Sequence, residues 1–225
     1  MEAFVPQQWS FVLAARRKDA RVAIETLAEL CQPYRQPFYA YVRLRGHSPD
    51  EAQDLTREFF ARLLQSKTTA YMKWDCAKMR SFLLTALNRF LTERRKSDTG
   101  AGAGGATPAS AEEGGESIEK AFEHNWALAM LHVVYDRLKS EYENAGQGEV
   151  FAKLKFCLAG NTEALPYGEL GGFLGVDEDG AKAMVEKLRR RFGAVLREEV
   201  AQVVATPADV EEELRCLFPG CVASS

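Results

Sequence analysis

The chain has 225 residues, of which 46% are hydrophobic, and a formal net charge of −3 at pH 7. This apolar share is enough to bury real cores, which excludes a disordered chain, and the length allows one large domain or two small ones. The net negative charge excludes a protein that binds nucleic acid through its bulk charge, so any DNA contact must come from local basic patches or depend on a partner.

The cysteines and the N-terminus indicate a reducing, cytoplasmic setting. No CxxC motif is present, and the histidines do not lie beside the cysteines at zinc-ligand spacing. We therefore expect reduced, structural thiols and no bound metal. No basic stretch followed by an apolar run opens the chain, and no window approaches the length of a membrane span. The sequence predicts no membrane partner.

The first half begins with apolar residues at helical spacing between Val22 and Arg45. Pro33 and Pro37 interrupt this pattern, so we expect two helices or one kinked helix. The residues from Gly46 to Pro49 then indicate a helix end followed by a new start, with Gly as C-cap, Ser as N-cap and Pro at the first helical position.

The helix predicted from Pro49 to about Gln65 carries acidic residues on one side. Glu51, Asp54 and Glu58 stand at i, i+3 and i+7, which places them on one face that a basic partner could contact. Acidic residues in the first turn also suit the helix dipole, and this simpler explanation stays open.

A second strongly periodic helix is predicted from Arg80 to about Lys96, after a loop from Ser66 to Lys78. Its buried side comprises Leu83, Leu87, Phe90 and Leu91. The opposite side carries hydrogen-bonding groups and cations without a carboxylate: Ser81, Thr85, Asn88, Arg89, Thr92, Arg95 and Lys96. This composition suits a strand of nucleic acid, and a merely solvated polar face explains it equally well.

A Gly/Ala-rich, low-complexity segment from Asp98 to Ser117 is predicted to be a flexible linker. A coil of about twenty residues spans roughly 25 Å, which is enough to separate two small domains. Helices resume at Ile118, and the glycines around Gln147 separate two of them. Trp126 and Phe151 are predicted to be core residues of these helices.

The residues from Tyr167 to about Val204 have the pattern of a helix-turn-helix. A short helix ends at Gly175, Val176 is expected to fill the core, and Asp177 caps the second helix. Small residues at Gly171 and Gly172 would let the two helices approach closely. The outward side of the second helix is predicted to comprise Glu178, Asp179, Lys182, Ala183, Glu186 and Arg190, with Lys187, Arg189 and Arg191 within reach of phosphates.

The residues from Pro207 to Phe218 have the pattern of an acidic amphipathic helix. Three explanations stay open for this tail. It folds onto the second domain and masks a basic face, it recruits a partner, or it is a packed C-terminal helix.

These stretches resemble the bacterial RNA polymerase sigma factors of the extracytoplasmic function group. The stretch Ser48 to Leu64, SPDEAQDLTREFFARLL, looks like the clamp-binding helix of that family, and Met79 to Leu91, MRSFLLTALNRFL, looks like its promoter-melting helix. Tyr167 to Arg191 looks like its recognition unit for the minus-thirty-five element. Arg57 departs from the family's usual glutamine, and Thr92 from its usual acidic residue.

The resemblance implies an all-α fold with two small helical domains, one similar to sigma region 2 and one to the region 4 helix-turn-helix, joined by a flexible Gly/Ala-rich linker. The expected boundaries are an N-terminal extension at 1–22, the first domain at 23–97, the linker at 98–117, the second domain at 118–205 and the acidic tail at 206–225.

The resemblance also implies a transcription initiation factor without catalytic residues or cofactors, which binds the clamp and flap of core RNA polymerase and directs it to promoter DNA. The clamp would meet Asp50, Glu51, Asp54, Leu55, Glu58 and Phe59. The melted minus-ten strand would meet Tyr71, Trp74, Arg80, Ser81, Thr85, Asn88, Arg89, Thr92, Arg95 and Lys96. The minus-thirty-five duplex would meet Glu178, Asp179, Lys182, Ala183, Glu186, Lys187, Arg189, Arg190 and Arg191.

Regulators and other classes of function also follow from these residues. An anti-sigma factor is one candidate partner, and a kinase that modifies Thr56, beside the acidic face, is another. An adaptor or antagonist that binds polymerase without reading DNA is the first alternative function. A stand-alone helix-turn-helix repressor, which would bind duplex DNA tightly by itself, is the second.

Overall fold

The computed structural model describes residues 8–15, 19–65, 78–99, 115–158 and 165–219. These ranges form the helices α1 Gln8–Ala15, α2 Ala20–Cys31, α3 Arg35–Leu44, α4 Pro49–Leu63, α5 Met79–Thr99, α6 Gly115–Asn144, α7 Gly148–Leu154, α8 Tyr167–Leu174, α9 Glu178–Gln202 and α10 Pro207–Leu217. No β-strand occurs in these ranges, and Lys78 and Val204 form an isolated bridge. The predicted all-α class is confirmed.

The described residues fall into two compact units. Residues before 131 and after 199 belong to the first unit, and residues 131–199 form the second. The expected domain boundaries stay predictions, but α6 and α9 each contribute residues to both units. Most of the residues expected to form the linker, 100–114, lie outside the described ranges.

The local signals between α2 and α4 act as the sequence predicts, except that Pro37 lies in the first turn of α3 and does not interrupt a helix. A 3₁₀ turn at Gln32–Tyr34, which contains Pro33, separates α2 from α3. Gly46 has a φ of 92°, a left-handed conformation that suits glycine. Ser48 then caps α4: its hydroxyl accepts a hydrogen bond from the Glu51 N–H at 3.3 Å, and its own N–H donates to the Glu51 carboxylate at 2.9 Å.

Aromatic packing dominates the core of the first unit. Phe38 of α3 contacts Phe59 of α4 and Phe122 of α6, with ring centroids 5.7 and 5.3 Å apart. Trp126, predicted to be a core residue, is fully buried and stacks on Tyr34 at 4.1 Å. The first half of α6 therefore completes the core that α3 and α4 begin.

The acidic C-terminal tail packs as a helix in the first unit. Leu214, Leu217 and Phe218 are buried, and Lys78 Nζ lies 2.7 Å from Glu212 Oε1 of this helix. Of the three explanations that the sequence left open, the structure shows the packed C-terminal helix.

The core of the second unit forms around α6, α7 and α9. Phe151, also predicted to be a core residue, is buried between Tyr135 and Tyr142, each with its ring centroid 5.3 Å away. Val185, Leu188 and Val195 give α9 its buried side. This packing leaves the opposite side of α9 in solvent.

Candidate protein and nucleic-acid interfaces

The first candidate surface is the acidic face of α4. Asp50, Glu51 and Asp54 are exposed. Asp54 forms an ion pair with Arg57 at 3.2 Å. The hydrogen bond from the backbone N–H of Ser48, followed by that from its hydroxyl, lowers the pKa of Glu51. The Glu51 carboxylate is therefore charged at neutral pH, and all three carboxylates are within reach of a partner.

The remaining predicted clamp contacts lie deeper. Glu58 is partly buried between Arg62, at 2.8 Å, and Arg94 of α5, at 3.6 Å. Leu55 is partly exposed. Phe59 is buried against Phe38, so it packs α4 against the core and is not part of the exposed surface.

Thr56 is not accessible to a kinase in this structure. Its side chain is buried, and its hydroxyl donates to the Ala52 carbonyl at 2.6 Å. A hydroxyl that bonds back to the preceding turn is a common arrangement for threonine within a helix.

The second candidate surface is the polar face of α5. Five of its predicted members are exposed, and Ser81 and Asn88 are partly exposed. The exposed residues are Thr85, Arg89, Thr92, Arg95 and Lys96. Glu93 adds a carboxylate that the sequence analysis left out of this face, and it pairs with Arg89 at 2.9 Å. An acid four residues from an arginine is a signal that the sequence did contain.

Arg80 does not have the surroundings expected of a residue that contacts the melted strand. Its side chain is only 8% exposed, and its Nε lies 2.7 Å from Glu213 Oε1 of α10. It also pairs with Glu123 of α6 and lies 3.2 Å from Cys216 Sγ. Burial works against its charge, but the contacts with Glu213, Cys216 and Glu123 together outweigh burial and raise its pKa. Arg80 therefore joins α5 to α10 and α6 instead of facing a ligand.

Tyr71 and Trp74, the aromatic residues predicted to hold unstacked bases, lie outside the described residues.

The third candidate surface is the helix-turn-helix of α8 and α9. Gly175 ends α8 in the left-handed conformation, with φ of 73°. Asp177 caps α9, since its carboxylate accepts a hydrogen bond from the Gly180 N–H at 2.8 Å. A Cβ on Gly171 would lie 2.7 Å from the Val176 carbonyl oxygen, so glycine is required for this close approach.

Two expectations for this turn are wrong. Val176 is 39% exposed and does not fill the core. A Cβ on Gly172 would meet nothing within 4 Å, so of these two glycines only Gly171 is needed for the close approach of the helices.

The outward side of α9 carries both signs of charge. Glu178, Asp179, Ala183, Glu186, Lys187 and Arg190 are exposed. Lys182 is partly exposed and lies 2.9 Å from Glu178 and 3.5 Å from Asp179. The hydrogen bond with Glu178 is the main reason that the pKa of Lys182 is raised.

The basic triplet of α9 has divided roles. Arg189 donates to the Cys157 carbonyl from two of its nitrogens, at 3.1 and 3.0 Å. Arg191 donates two hydrogen bonds to the Glu141 carboxylate of α6, a bidentate contact with distances of 2.8 and 2.6 Å. Arg189 and Arg190 are exposed, and Arg191 is partly exposed. Glu141 is not predictable as a partner of Arg191 from the sequence, because their pairing depends on how α6 and α9 pack.

No model of a known protein family, no curated protein and no solved structure matches this chain. Within the ranges that the structure describes, none of the helices has the length and hydrophobicity needed to cross a membrane. The same residues contain no group of three or more His, Cys, Asp or Glu side chains placed to hold a metal ion.

Proposed function

We propose that this chain is a transcription initiation factor of the sigma type. In this proposal it acts in the cytoplasm, binds core RNA polymerase and directs it to promoters through minus-ten and minus-thirty-five elements while assisting DNA melting. The observation that carries the proposal is that α4 and α5 expose faces of different chemistry. The two helices pack together through Phe59 and Phe90, whose ring centroids are 5.9 Å apart.

The α4 surface supports the protein-binding half of the proposal. Exposed carboxylates at Asp50, Glu51 and Asp54 complement a basic helix of the polymerase clamp, and charge complementarity directs both orientation and encounter rate. The net charge of −3 disfavours stable binding to DNA by the chain alone. Promoter recognition in this proposal therefore depends on polymerase.

The α5 and α9 surfaces support the DNA-binding half. Hydroxyls and cations on α5, notably Arg89, Arg95 and Lys96, suit the backbone and bases of a melted strand. The capped helix α9 follows a tight turn, which is the arrangement that presents a helix to the major groove. Lys187, Arg189 and Arg190 are its exposed cations toward phosphate, and Arg189 also donates to the Cys157 carbonyl.

A second candidate function is an adaptor or antagonist that binds polymerase without reading DNA. The observation that favours it is the number of predicted DNA-contacting cations held by carboxylates. Arg80 pairs with Glu213, Arg191 with Glu141, and Lys182 with Glu178. Such a protein would retain the acidic face of α4 and lose selective transcription.

The test is in vitro transcription with core polymerase, with and without this chain, on a pool of genomic fragments. The proposal predicts specific start sites that appear only when the chain is added. Polymerase binding without start sites would instead support the adaptor. A gel shift of duplex DNA by the purified chain alone would support a stand-alone repressor and contradict the dependence on polymerase.

A further inference from the structure

Asn88 occupies an unusual position on the polar face of α5. Its side chain is partly exposed, and it meets two residues of the α3 end, Tyr41 and Arg45. The Tyr41 hydroxyl donates to Asn88 Oδ1 at 2.8 Å, and Arg45 Nη2 donates to the same oxygen at 3.0 Å. Arg45 Nη2 also donates to the Tyr41 hydroxyl at 2.5 Å, which closes a ring of three side chains.

The chemistry of arginine fixes the orientation of the Asn88 amide. A guanidinium group has only donors, so the Asn88 atom beside Arg45 must be the carbonyl oxygen rather than the amide nitrogen. A carbonyl oxygen has two lone pairs, and Tyr41 and Arg45 use both. Among the described residues Asn88 Nδ2 has no hydrogen-bond partner. Asn88 therefore offers donors to a ligand, and no acceptor.

The surrounding packing holds this arrangement in place. Tyr41 is fully buried, and its ring meets Phe122 edge-on with centroids 5.7 Å apart. The Arg45 guanidinium lies over the Tyr41 ring, 5.0 Å from its centre. Because these groups are fixed before a ligand arrives, little side-chain freedom remains to be lost on binding.

We propose that Asn88 is a donor-only contact for the melted DNA strand, with Tyr41 and Arg45 as its positioning residues. This inference rests on the proposed function of the chain. Asparagine normally reads adenine by donating to N7 and accepting from the N6 amino group. With its oxygen already occupied, Asn88 discriminates against that pairing. Its ligand is a hydrogen-bond acceptor, either a base carbonyl or ring nitrogen or a phosphate oxygen.

The experiment measures open complexes formed by core polymerase with this chain on a promoter library randomised in the minus-ten region. Asn88→Asp keeps an oxygen toward Tyr41 and Arg45 but removes the donors, so we expect about three- to tenfold fewer open complexes. A loss at one base position identifies a base acceptor, whereas a uniform loss identifies a phosphate. Asn88→Ala should show the same pattern without the added charge.

Tyr41→Phe provides the test of positioning. This substitution removes the hydroxyl donor with little change in shape, so one lone pair of Asn88 Oδ1 becomes available to a base. The promoters selected from the library should then be enriched in adenine at the position that Asn88 contacts. A purely structural role for Tyr41 would lower yield without changing base preference, and circular dichroism would confirm that the variant folds.

Two results would overturn the inference. The first is that the wild-type chain selects adenine at one position and Asn88→Ala loses this preference. This result would show that Asn88 Oδ1 accepts a hydrogen bond from the base. Unchanged yield and selection in the Asn88 variants, with active wild type, would show that Asn88 contacts no DNA. Absence of any specific open complex with the wild-type chain would instead remove the proposed function, and this inference with it.

Discussion

The helices α5 and α9 both carry arginines that the sequence places toward DNA, but the two helices use them differently. In α5 the arginine held between helices, Arg80, lies at the start, and the exposed cations Arg95 and Lys96 lie near the end. In α9 Arg189 and Arg191 bond to other segments and flank Arg190, and Arg189 remains exposed together with Arg190. An arginine on the polar side of a helix is thus a structural residue when another segment brings a carboxylate or carbonyl to it.

Removal of the Arg80 side chain should give the largest loss of folding stability. Arg80→Ala leaves Glu213, whose side chain is 1% exposed, with Lys78 Nζ at 3.3 Å as its remaining cation. The loss should therefore lie at the lower end of the range for a broken buried ion pair, about 3 kcal/mol of unfolding free energy. Urea denaturation at pH 7 measures this loss. The matched control is Arg89→Ala, at a solvent-exposed pair, which should change stability by less than about 0.5 kcal/mol.

A double variant keeps the Arg80 prediction testable if the single variant fails to fold. Arg80→Met with Glu213→Leu replaces the pair by apolar side chains and should recover most of the stability. Equal stabilities of Arg80→Ala and Arg89→Ala would show that Arg80 is not the structural arginine of α5.

A substitution in the helix-turn-helix before α9 should give the next largest loss of folding stability. Gly171→Ala places a Cβ 2.7 Å from a backbone oxygen, and the required shift should destabilise the chain by about 1–3 kcal/mol. Gly172→Ala, one residue later on the same helix and with open space around it, should be neutral or stabilise by about 0.4–1 kcal/mol. Thermal or urea unfolding of this pair checks the turn, and an equal loss in both variants would contradict its geometry.

Substitutions in the basic triplet of α9 should distinguish an arginine that stabilises the fold from one that binds DNA. Arg191→Ala removes the contact with Glu141 and should cost about 1 kcal/mol, a modest value because the arginine is 37% exposed. Arg190→Ala should leave stability within about 0.5 kcal/mol and weaken minus-thirty-five binding in the polymerase complex. Loss of stability in Arg190→Ala, or unchanged promoter binding, would reverse the roles assigned to the two residues.

The smallest expected effect is on pH dependence. The hydrogen bond from Arg191 is the main reason that the pKa of Glu141 is lowered. Because the folded-state pKa is the lower one, this carboxylate stabilises the fold above its unfolded pKa of about 4.3, and the contribution disappears as pH falls through the folded value. Glu141→Gln should therefore lose less stability than wild type between pH 6 and about pH 2, by under about 1 kcal/mol since Glu141 is 35% exposed.

The control for the pH measurement is Glu186→Gln, at an exposed position of α9. Its stability should follow that of wild type across the same pH range in urea denaturation. A Glu141→Gln curve that coincides with wild type would show that the bond with Arg191 does not shift this titration.

Local signals allowed the helices to be predicted well. Ser48, Pro49 and Gly46 act within a few residues of one another, so the start of α4 follows from the sequence. The helical spacing of Leu83, Leu87 and Phe90 likewise predicted the buried side of α5.

The candidate surfaces were less predictable because they depend on contacts between distant segments. Glu213 reaches Arg80 across 133 positions of sequence, and Tyr41 reaches Asn88 across 47. Helical spacing places a side chain on a face of its own helix but does not reveal what packs against that face. Arg80 and Asn88 were therefore both predicted to contact the melted strand, although their surroundings in the structure differ.

The most direct test of the proposed function is charge reversal at the exposed end of α5, with Arg95→Glu and Lys96→Glu in one chain. Transcription from a promoter that requires the wild-type chain and the amount of chain retained by core polymerase are measured side by side. We expect that transcription is abolished while polymerase retention is unchanged, because the acidic face of α4 is left intact. Promoter-specific transcription at the wild-type level would contradict the proposed function.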